Sequence, residues 1–209
     1  MNVSRLASFA TLLLLATGTT MAVPDAAQTL FSQAEKALSQ GDLRTAKEKL
    51  TAGLKLDPRH AQAMVNLGNV FLLENDVRSA AMWFEESLRL DPRNALALNG
   101  RGVCHLREGD VPKAVDFWIR ATEADPTNAT PIVNLGDAAA LMADDKSAKG
   151  YYLQALKVDA GLERPLVQLA EIALKEADGD AAIAYAREAL VRNPSSAPAR
   201  AALGKGYAA

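Results

Sequence analysis

The side chains best suited to catalysis are few in this sequence of 209 residues, which has one cysteine, Cys104, and two histidines, His60 and His105. Cys104 and His105 are adjacent, so on a helix their side chains point about 100° apart and cannot form a nucleophile–base pair. The sequence has no zinc-ligand spacing, nucleophile elbow or phosphate-binding loop. We therefore expect no catalytic residue, no metal site and no cofactor site.

The lone cysteine and two carboxylates are the remaining candidates for reactivity. We interpret Cys104 as a buried thiol that packs as a small hydrophobe, the alternative being a reactive thiol. Asp137 and Glu171 occupy the same position in two successive copies of a sequence repeat. If the repeat brings them together, repulsion would raise the pKa of one of them. Because no second catalytic element accompanies them, we predict that the protein is not an enzyme.

A sequence repeat with a constant length of 34 residues runs from position 27 to position 196. LKLDPRHAQA at 54–63 returns as LRLDPRNALA at 88–97, and both aspartates and prolines recur at the same spacing. A fixed period of this length indicates a solenoid of helical hairpins. The gapless periods are 27–60, 61–94, 95–128, 129–162 and 163–196.

Each period carries two apolar stripes with helical spacing, separated by a turn. Met64, Leu67 and Phe71 fall on one face of a first helix, and Ala80 and Phe84 lie on one face of a second. Small residues are expected where the two helices approach closely, and these pairs are Gly68 with Ala80, Gly102 with Ala114 and Gly136 with Ala148.

Recurring residues mark the helix ends. Gly41 and Gly109 suit the left-handed conformation that ends a first helix, and the following Asp42 and Asp110 can cap the second helix. An aspartate before proline, as at Asp91, is biased away from helical angles and predicts the end of the second helix. Three further residues are expected to cap the next first helix: Asn94, Asn128 and Ser196.

These residues resemble the tetratricopeptide repeat (TPR). The matching pattern is Leu67-Gly68-x-x-Phe71, followed by Ala80, Phe84, Ser87 and Pro92. The resemblance implies an all-α, right-handed superhelical solenoid of five helix-turn-helix units, forming a TPR domain over residues 23–209 with a C-terminal capping helix at 197–209. Three local departures from the pattern are Gln33-Ala34 in the first repeat, Ala160 in place of a proline, and a fifth-repeat turn shifted to Asp178-Gly179-Asp180.

The resemblance also implies that the first helices line a concave groove that binds a peptide or a protein segment. Groove-facing side chains are implied at the second, fifth, sixth, ninth, twelfth and thirteenth positions of each repeat. In the first repeat, groove positions hold Phe31 and Glu35 rather than the basic residues with which some family members clamp a C-terminal carboxylate. Docking of an acidic tail is therefore disfavoured. The predicted protein-binding residues are Asn66, Asn69, Asn99, Val103, Arg107, Asn134, Asp137, Gln168 and Glu171.

Four of these residues are asparagines, for which two interpretations remain open. Their amides could grip an extended backbone, because each offers two donors and an acceptor. Alternatively, asparagine is frequent before Leu-Gly in this family for local reasons. The aliphatic residues of the groove are interpreted mainly as core.

The first 22 residues have the layout of a secretory signal. Arg5 precedes an apolar run at 6–16, and small residues follow, with Thr20 and Ala22 at the −3 and −1 positions of a cleavage site. The run is shorter than the roughly 20 residues of a transmembrane helix. We predict a cleaved signal peptide at 1–22 and a periplasmic or secreted protein, with an uncleaved membrane anchor as the alternative.

Together these features predict a non-catalytic scaffold or adaptor that binds a partner protein or an extended peptide. The resemblance suggests an accessory factor of a bacterial envelope machine, such as pilus assembly, secretion or exopolysaccharide export. The alternative is a scaffold that self-assembles head to tail through apolar surface near Leu203 and Tyr207. Nucleic acid is not an expected partner, because the net charge is −2 and the sequence has no long basic run.

Overall fold

A computed structural model describes residues 23–208, and over this range it contains eleven α-helices and no β-strand. The prediction of an all-α helical-repeat solenoid is confirmed. The predicted signal peptide at 1–22 lies outside the described residues. No helix among the described residues combines the length and the apolar character needed to cross a bilayer.

Two compact units make up the chain, the first ending at Arg59 and the second beginning at His60. The first unit contains one helical hairpin, α1 (Val23–Ser39) and α2 (Leu43–Leu56). The ring of Phe31 on α1 fills the space where a Cβ on Gly53 would lie, and Phe31 is 3% exposed. The assignment of Phe31 to a peptide-facing position is therefore wrong, because its ring belongs to the hairpin core.

The second unit consists of four more hairpins and a final single helix. In each hairpin a first helix of 13 residues is followed by a second helix of 14 residues. The hairpins are α3 (Ala61–Leu73) with α4 (Val77–Leu90), α5 (Ala95–Arg107) with α6 (Val111–Ala124), α7 (Ala129–Leu141) with α8 (Asp145–Val158), and α9 (Glu163–Lys175) with α10 (Gly179–Arg192). The single helix is α11 (Ala197–Ala208), which buries Ala199 and Ala202.

Aromatic rings from the second helices fill the gaps left by the glycines of the first helices. A Cβ on Gly68, Gly102 or Gly136 would overlap, in that order, the ring of Phe84, Trp118 or Tyr152. All three rings are buried. Close approach at these glycines is confirmed, but the predicted partners are wrong: the nearest atoms belong to the rings at 84, 118 and 152 and not to Ala80, Ala114 and Ala148, because a ring of the second helix fills each gap.

Side-chain caps define the ends of the helices as the sequence predicts. Each second helix is capped by an aspartate whose carboxylate accepts a backbone N–H from the first turn. These aspartates are Asp42, Asp76, Asp110, Asp144 and Asp178. Asn94, Asn128 and Ser196 also cap the helices that follow them.

The turn inside each hairpin contains one residue with a positive φ, always at the same position of the repeat. These φ angles range from +57° to +83° at Gly41, Asn75, Gly109, Ala143 and Ala177. The turn of the fifth repeat is therefore not shifted to Asp178-Gly179-Asp180 as predicted. Ala177 takes the left-handed conformation instead, and Gly179 begins α10.

Replacing either left-handed alanine with glycine should stabilise the protein. An alanine in this conformation is disfavoured by its Cβ, so Ala143→Gly or Ala177→Gly should raise the free energy of unfolding by about 0.5–1 kcal/mol. Urea denaturation followed by circular dichroism measures the change. Ala184→Gly, on the exposed face inside α10, is the matched control and should be destabilising. A loss of stability in both turn variants would contradict the assignment.

The packing of aromatic rings beside glycines predicts that replacing glycine with alanine will have opposite effects on stability at Gly136 and Gly150. Gly136→Ala places a methyl group against the ring of Tyr152 and should lower the free energy of unfolding by about 1–3 kcal/mol. Gly150→Ala, in α8, meets no neighbouring atom and should raise it by about 0.5–1 kcal/mol. Thermal and urea melts of the two variants provide the comparison, and equal effects would argue against this packing.

Candidate protein-binding surface

The first helices of the second unit lie side by side and form a surface that we call the first-helix face, consisting of α3, α5, α7, α9 and α11. One side-chain bond links each neighbouring pair of these helices. Arg107 donates to the carbonyl oxygen of Leu72 at 2.7 Å, joining α5 to α3. The other links are Asn134 to Asn99 at 2.8 Å, Arg164 to Asp137 at 2.6 Å and Lys205 to Glu171 at 3.2 Å.

The predicted binding residues all belong to the second unit, but they differ in exposure. Asn69 and Arg107 are exposed, whereas Val103 is half-buried and packs against the apolar clusters around Phe84 and Trp118. Val103 therefore contributes mainly to packing between repeats. The half-buried polar members of the set are Asn66, Asn99, Asn134, Asp137, Gln168 and Glu171.

Aliphatic residues at the predicted groove positions divide into a core set and an exposed set. Val65, Val133 and Val167 are buried, as the core interpretation predicts. Leu73 and Leu141 are 67% and 65% exposed, and each lies near the C-terminal end of its first helix. Leu96, near the N-terminal end of α5, is 45% exposed. The first-helix face therefore presents amides along its centre and exposed leucines toward both ends of its helices.

The amides are held in different ways. The amide oxygen of Asn66 accepts a bond from Gln62 at 3.0 Å. The amide oxygen of Asn99 accepts from the Nδ2 of Asn134, while the indole N–H of Trp118 donates to the backbone carbonyl of Asn99. Asn99 and Asn134 are thus oriented by the protein itself, with amide hydrogens left over for a ligand.

Arg107 has a structural role in addition to its place on this face. Its guanidinium bonds the Leu72 carbonyl, near the C-terminus of α3, and lies 3.4 Å from the Asn75 side chain. A cation at a helix C-terminus satisfies a free carbonyl group and interacts favourably with the helix dipole. Arg107 therefore stabilises the contact between two repeats.

Asp137 lies at the centre of a small polar cluster. Its Oδ1 accepts a bond from the Tyr152 hydroxyl at 2.9 Å, and its Oδ2 lies 2.6 Å from the Arg164 guanidinium. Burial raises the pKa of the Asp137 carboxyl, although Arg164 and Tyr152 act in the opposite direction. Burial, and then the charge of Asp137, raise the pKa of Tyr152, so its hydroxyl remains a donor at neutral pH.

The two carboxylates considered as a catalytic pair each have a basic partner of their own. Glu171 is bound by Lys205, and Asp137 by Arg164. The raised pKa of Asp137 therefore results from burial and not from a neighbouring carboxylate. This arrangement provides no acid–base pair.

Cys104 and His105 lie in the interior, whereas the half-buried His60 caps α3 by accepting the Ala63 N–H at its Nδ1. Cys104 is buried, and burial raises the pKa of its thiol to about 11, so it is protonated and unreactive at neutral pH. His105 is 8% exposed, and its ring stacks on Phe117 with 5.2 Å between the ring centres. Among the described residues, no group of three histidine, cysteine or acidic side chains is arranged to hold a metal ion.

Arg164 and Lys205 on this face, and the buried Tyr152 of α8 beneath it, contact the predicted residues Asp137 and Glu171 but were absent from the predicted set. Lys205 could have been found by extending the register, since it lies one repeat interval beyond Glu171. Arg164 occupies a predicted groove position, but the sequence carries no signal that pairs it with Asp137. Tyr152 fits the apolar stripe of its helix, so its hydroxyl gave no sign of a polar role.

The comparisons with known proteins agree on the repeat type. The family model described as tetratricopeptide repeat matches residues 31–95 and 74–129. Among curated protein sequences, none matches the chain.

Solved structures share the fold at low sequence identity. The structure titled "Functional Characterization of Pseudomonas Aeruginosa pilF" is 21% identical, with a TM-score of 0.77 over 88% of this chain and 90% of that chain. TTC0263, a thermophilic TPR protein of Thermus thermophilus, is 19% identical, with a TM-score of 0.73 over 88% of this chain and 100% of that chain.

A third structure is YrrB, described as a TPR protein with an unusual peptide-binding site. It is 20% identical, with a TM-score of 0.60 over 86% of this chain and 92% of that chain. At these identities the likenesses show the fold. Residues 31–129 match the tetratricopeptide repeat, and the chain shares the fold of these solved tetratricopeptide-repeat structures.

Proposed function

We propose that this protein is a non-catalytic scaffold that binds an extended segment of a partner protein on the first-helix face. The observation that carries the proposal is the pair formed by Asn99 and Asn134, whose amides are oriented across two neighbouring helices. An extended backbone needs both donors and acceptors along its length, and preorganised amides supply both with little loss of side-chain entropy.

The charges of this face support a weakly charged partner segment. Asp137 and Glu171 are each paired with a basic residue of the next first helix, and Lys175 is paired with Asp145 at 2.7 Å. Between α3 and α7, α3 carries no charged side chain and α5 carries only Arg101 and Arg107, while amides and exposed leucines make up much of the surface. A segment with polar backbone groups and aliphatic side chains fits that surface.

We further propose that the protein is exported to the periplasm and acts as an accessory factor of an envelope machine. The support is the sequence of residues 1–22, with one basic residue, a short apolar run and small residues before Val23. Cleavage after Ala22 would leave α1 as the first element of the exported protein.

A second candidate function is self-assembly through α11. Tyr207 is 62% exposed, and its hydroxyl accepts a bond from Arg187. A Cβ on Gly204 would meet no atom within 4 Å, unlike those on the corresponding glycines at positions 68, 102 and 136. This part of α11 therefore has room for a helix of a second copy, whereas Leu203 is already half-buried.

The scaffold proposal predicts that amide substitutions release a partner without unfolding the protein. The double variant Asn69→Ala and Asn134→Ala should retain the thermal melt within a few degrees, because neither side chain is buried in the core. Affinity capture from the envelope fraction, read by mass spectrometry, should then recover a partner with the wild type and not with the variant.

The control for this capture experiment is Gln154→Ala, an exposed residue on the second helix α8. It should recover the same partner as the wild type. If the amide variant binds every captured protein as well as the wild type does, the first-helix face is not the binding surface.

Self-assembly makes a separate prediction that sedimentation velocity can check. If α11 docks on another copy, the sedimentation coefficient should rise with protein concentration across the micromolar range, and Tyr207→Ser should reduce the rise by removing exposed aromatic area. A coefficient that is independent of concentration over this range would eliminate the second candidate.

A further inference from the structure

The carboxylate of Asp137 and the cation that neutralises it differ in their exposure to solvent. The side chain of Asp137 is 19% exposed, and that of Arg164 is 63% exposed. The other contact of the carboxylate is the hydroxyl of Tyr152, which is completely buried. The anion is therefore fixed by the core, whereas its cation lies on a long, solvent-exposed side chain.

An ion pair of this kind is easily opened on the side of the exposed partner. Arg164 loses side-chain entropy when it holds one geometry, and water competes for its guanidinium. Asp137 stays in place when Arg164 leaves, because the Tyr152 hydroxyl still donates to it. Burial raises the pKa of Asp137 even with Arg164 present, which indicates that its negative charge is incompletely compensated.

Asp137 also lies next to the amides that the proposed function uses. Asn134 and Asp137 are one helical turn apart on α7, so the two side chains share one face of the helix. A partner backbone bound at Asn134 would therefore pass close to the Asp137 carboxylate.

We infer that Asp137 is the specificity-determining residue of the first-helix face and receives a lysine or arginine side chain of the partner segment, which displaces Arg164. This inference rests on the proposed function and adds the chemistry of one partner residue. Arg164 acts as an internal competitor that occupies the carboxylate until the partner binds.

Glu171 is a weaker candidate for the same role. Its side chain is 39% exposed, and both of its oxygens face the Nζ of Lys205, at 3.2 and 3.4 Å. The described hydrogen bonds include no buried hydroxyl that fixes its carboxylate. An acidic partner residue at Arg164 is also disfavoured, because it would approach the negative charge of Asp137.

Selection of peptides from a random peptide-display library against the purified protein tests this inference. Selected peptides should be enriched in lysine or arginine. For the strongest binder, Asp137→Asn should weaken the affinity by about tenfold or more, because it removes the buried charge. Arg164→Ala should strengthen the affinity, because it removes the internal competitor.

Two controls distinguish a loss of peptide recognition from a loss of folding and from a change in net charge. Asp137→Asn can still accept the Tyr152 hydroxyl bond, so its thermal melt should match that of the wild type. Asp116→Asn removes the same charge from α6, where Asp116 faces Arg120 at 3.7 Å on a second helix, and should leave peptide affinity unchanged.

The outcomes distinguish this inference from the proposed function. Binders without basic residues, or binders unaffected by Asp137→Asn, would overturn the inference while the scaffold function stands. Acidic binders that are lost with Arg164→Ala would assign recognition to the arginine instead. A library that yields no binder on the first-helix face would overturn both. If the Asp137→Asn variant does not fold, the peptide affinity of the Arg164→Ala variant tests the inference instead. An affinity lower than that of the wild type would contradict the role of Arg164 as an internal competitor.

Discussion

The structure depends on one packing arrangement, in which an aromatic ring from a second helix fills the space that a glycine leaves in the first helix. Phe84, Trp118 and Tyr152 occupy this position in three successive hairpins and are buried. Protein interiors are close-packed, so the absent Cβ and the inserted ring must match in volume. The ring sets the distance between the two helices, and the left-handed turn residue directs the chain into the second helix.

Two of these rings connect the core to the first-helix face by hydrogen bonds. The indole N–H of Trp118 reaches the backbone carbonyl of Asn99, and the hydroxyl of Tyr152 reaches the carboxylate of Asp137. Phe84 has no polar atom and makes no such bond. The residue at this core position therefore determines which group of the first-helix face accepts a hydrogen bond from the core.

The periodicity of the sequence predicted the helices, caps and gaps well, because each follows from a local rule that recurs in every repeat. Gly179 suggested a shifted turn, but packing of α9 against α10 keeps the register and places Ala177 in the left-handed conformation. The site was harder to predict, because its key contacts join different repeats. Asp137 and Arg164 are closer in sequence than one repeat interval, and spacing does not give the direction of a long side chain. The sequence pattern thus locates a helix face. Side-chain volume and the contacts that each side chain makes with other repeats determine which residues of that face can contact a ligand.

The distribution of charge supports the proposal that recognition by amides and recognition by charge are adjacent on one surface. Between α3 and α7 the links between repeats are neutral or use an arginine on a backbone carbonyl, so a ligand backbone meets no strongly solvated ion pair there. From α7 onward the links are ion pairs, and a ligand that covers them must remove water from their charges. Asp137 lies on α7, where the two regions meet, and burial has already removed much of the water around its carboxylate. A cation supplied by the partner at this point therefore restores a contact, whereas a cation at any fully hydrated carboxylate would only replace water.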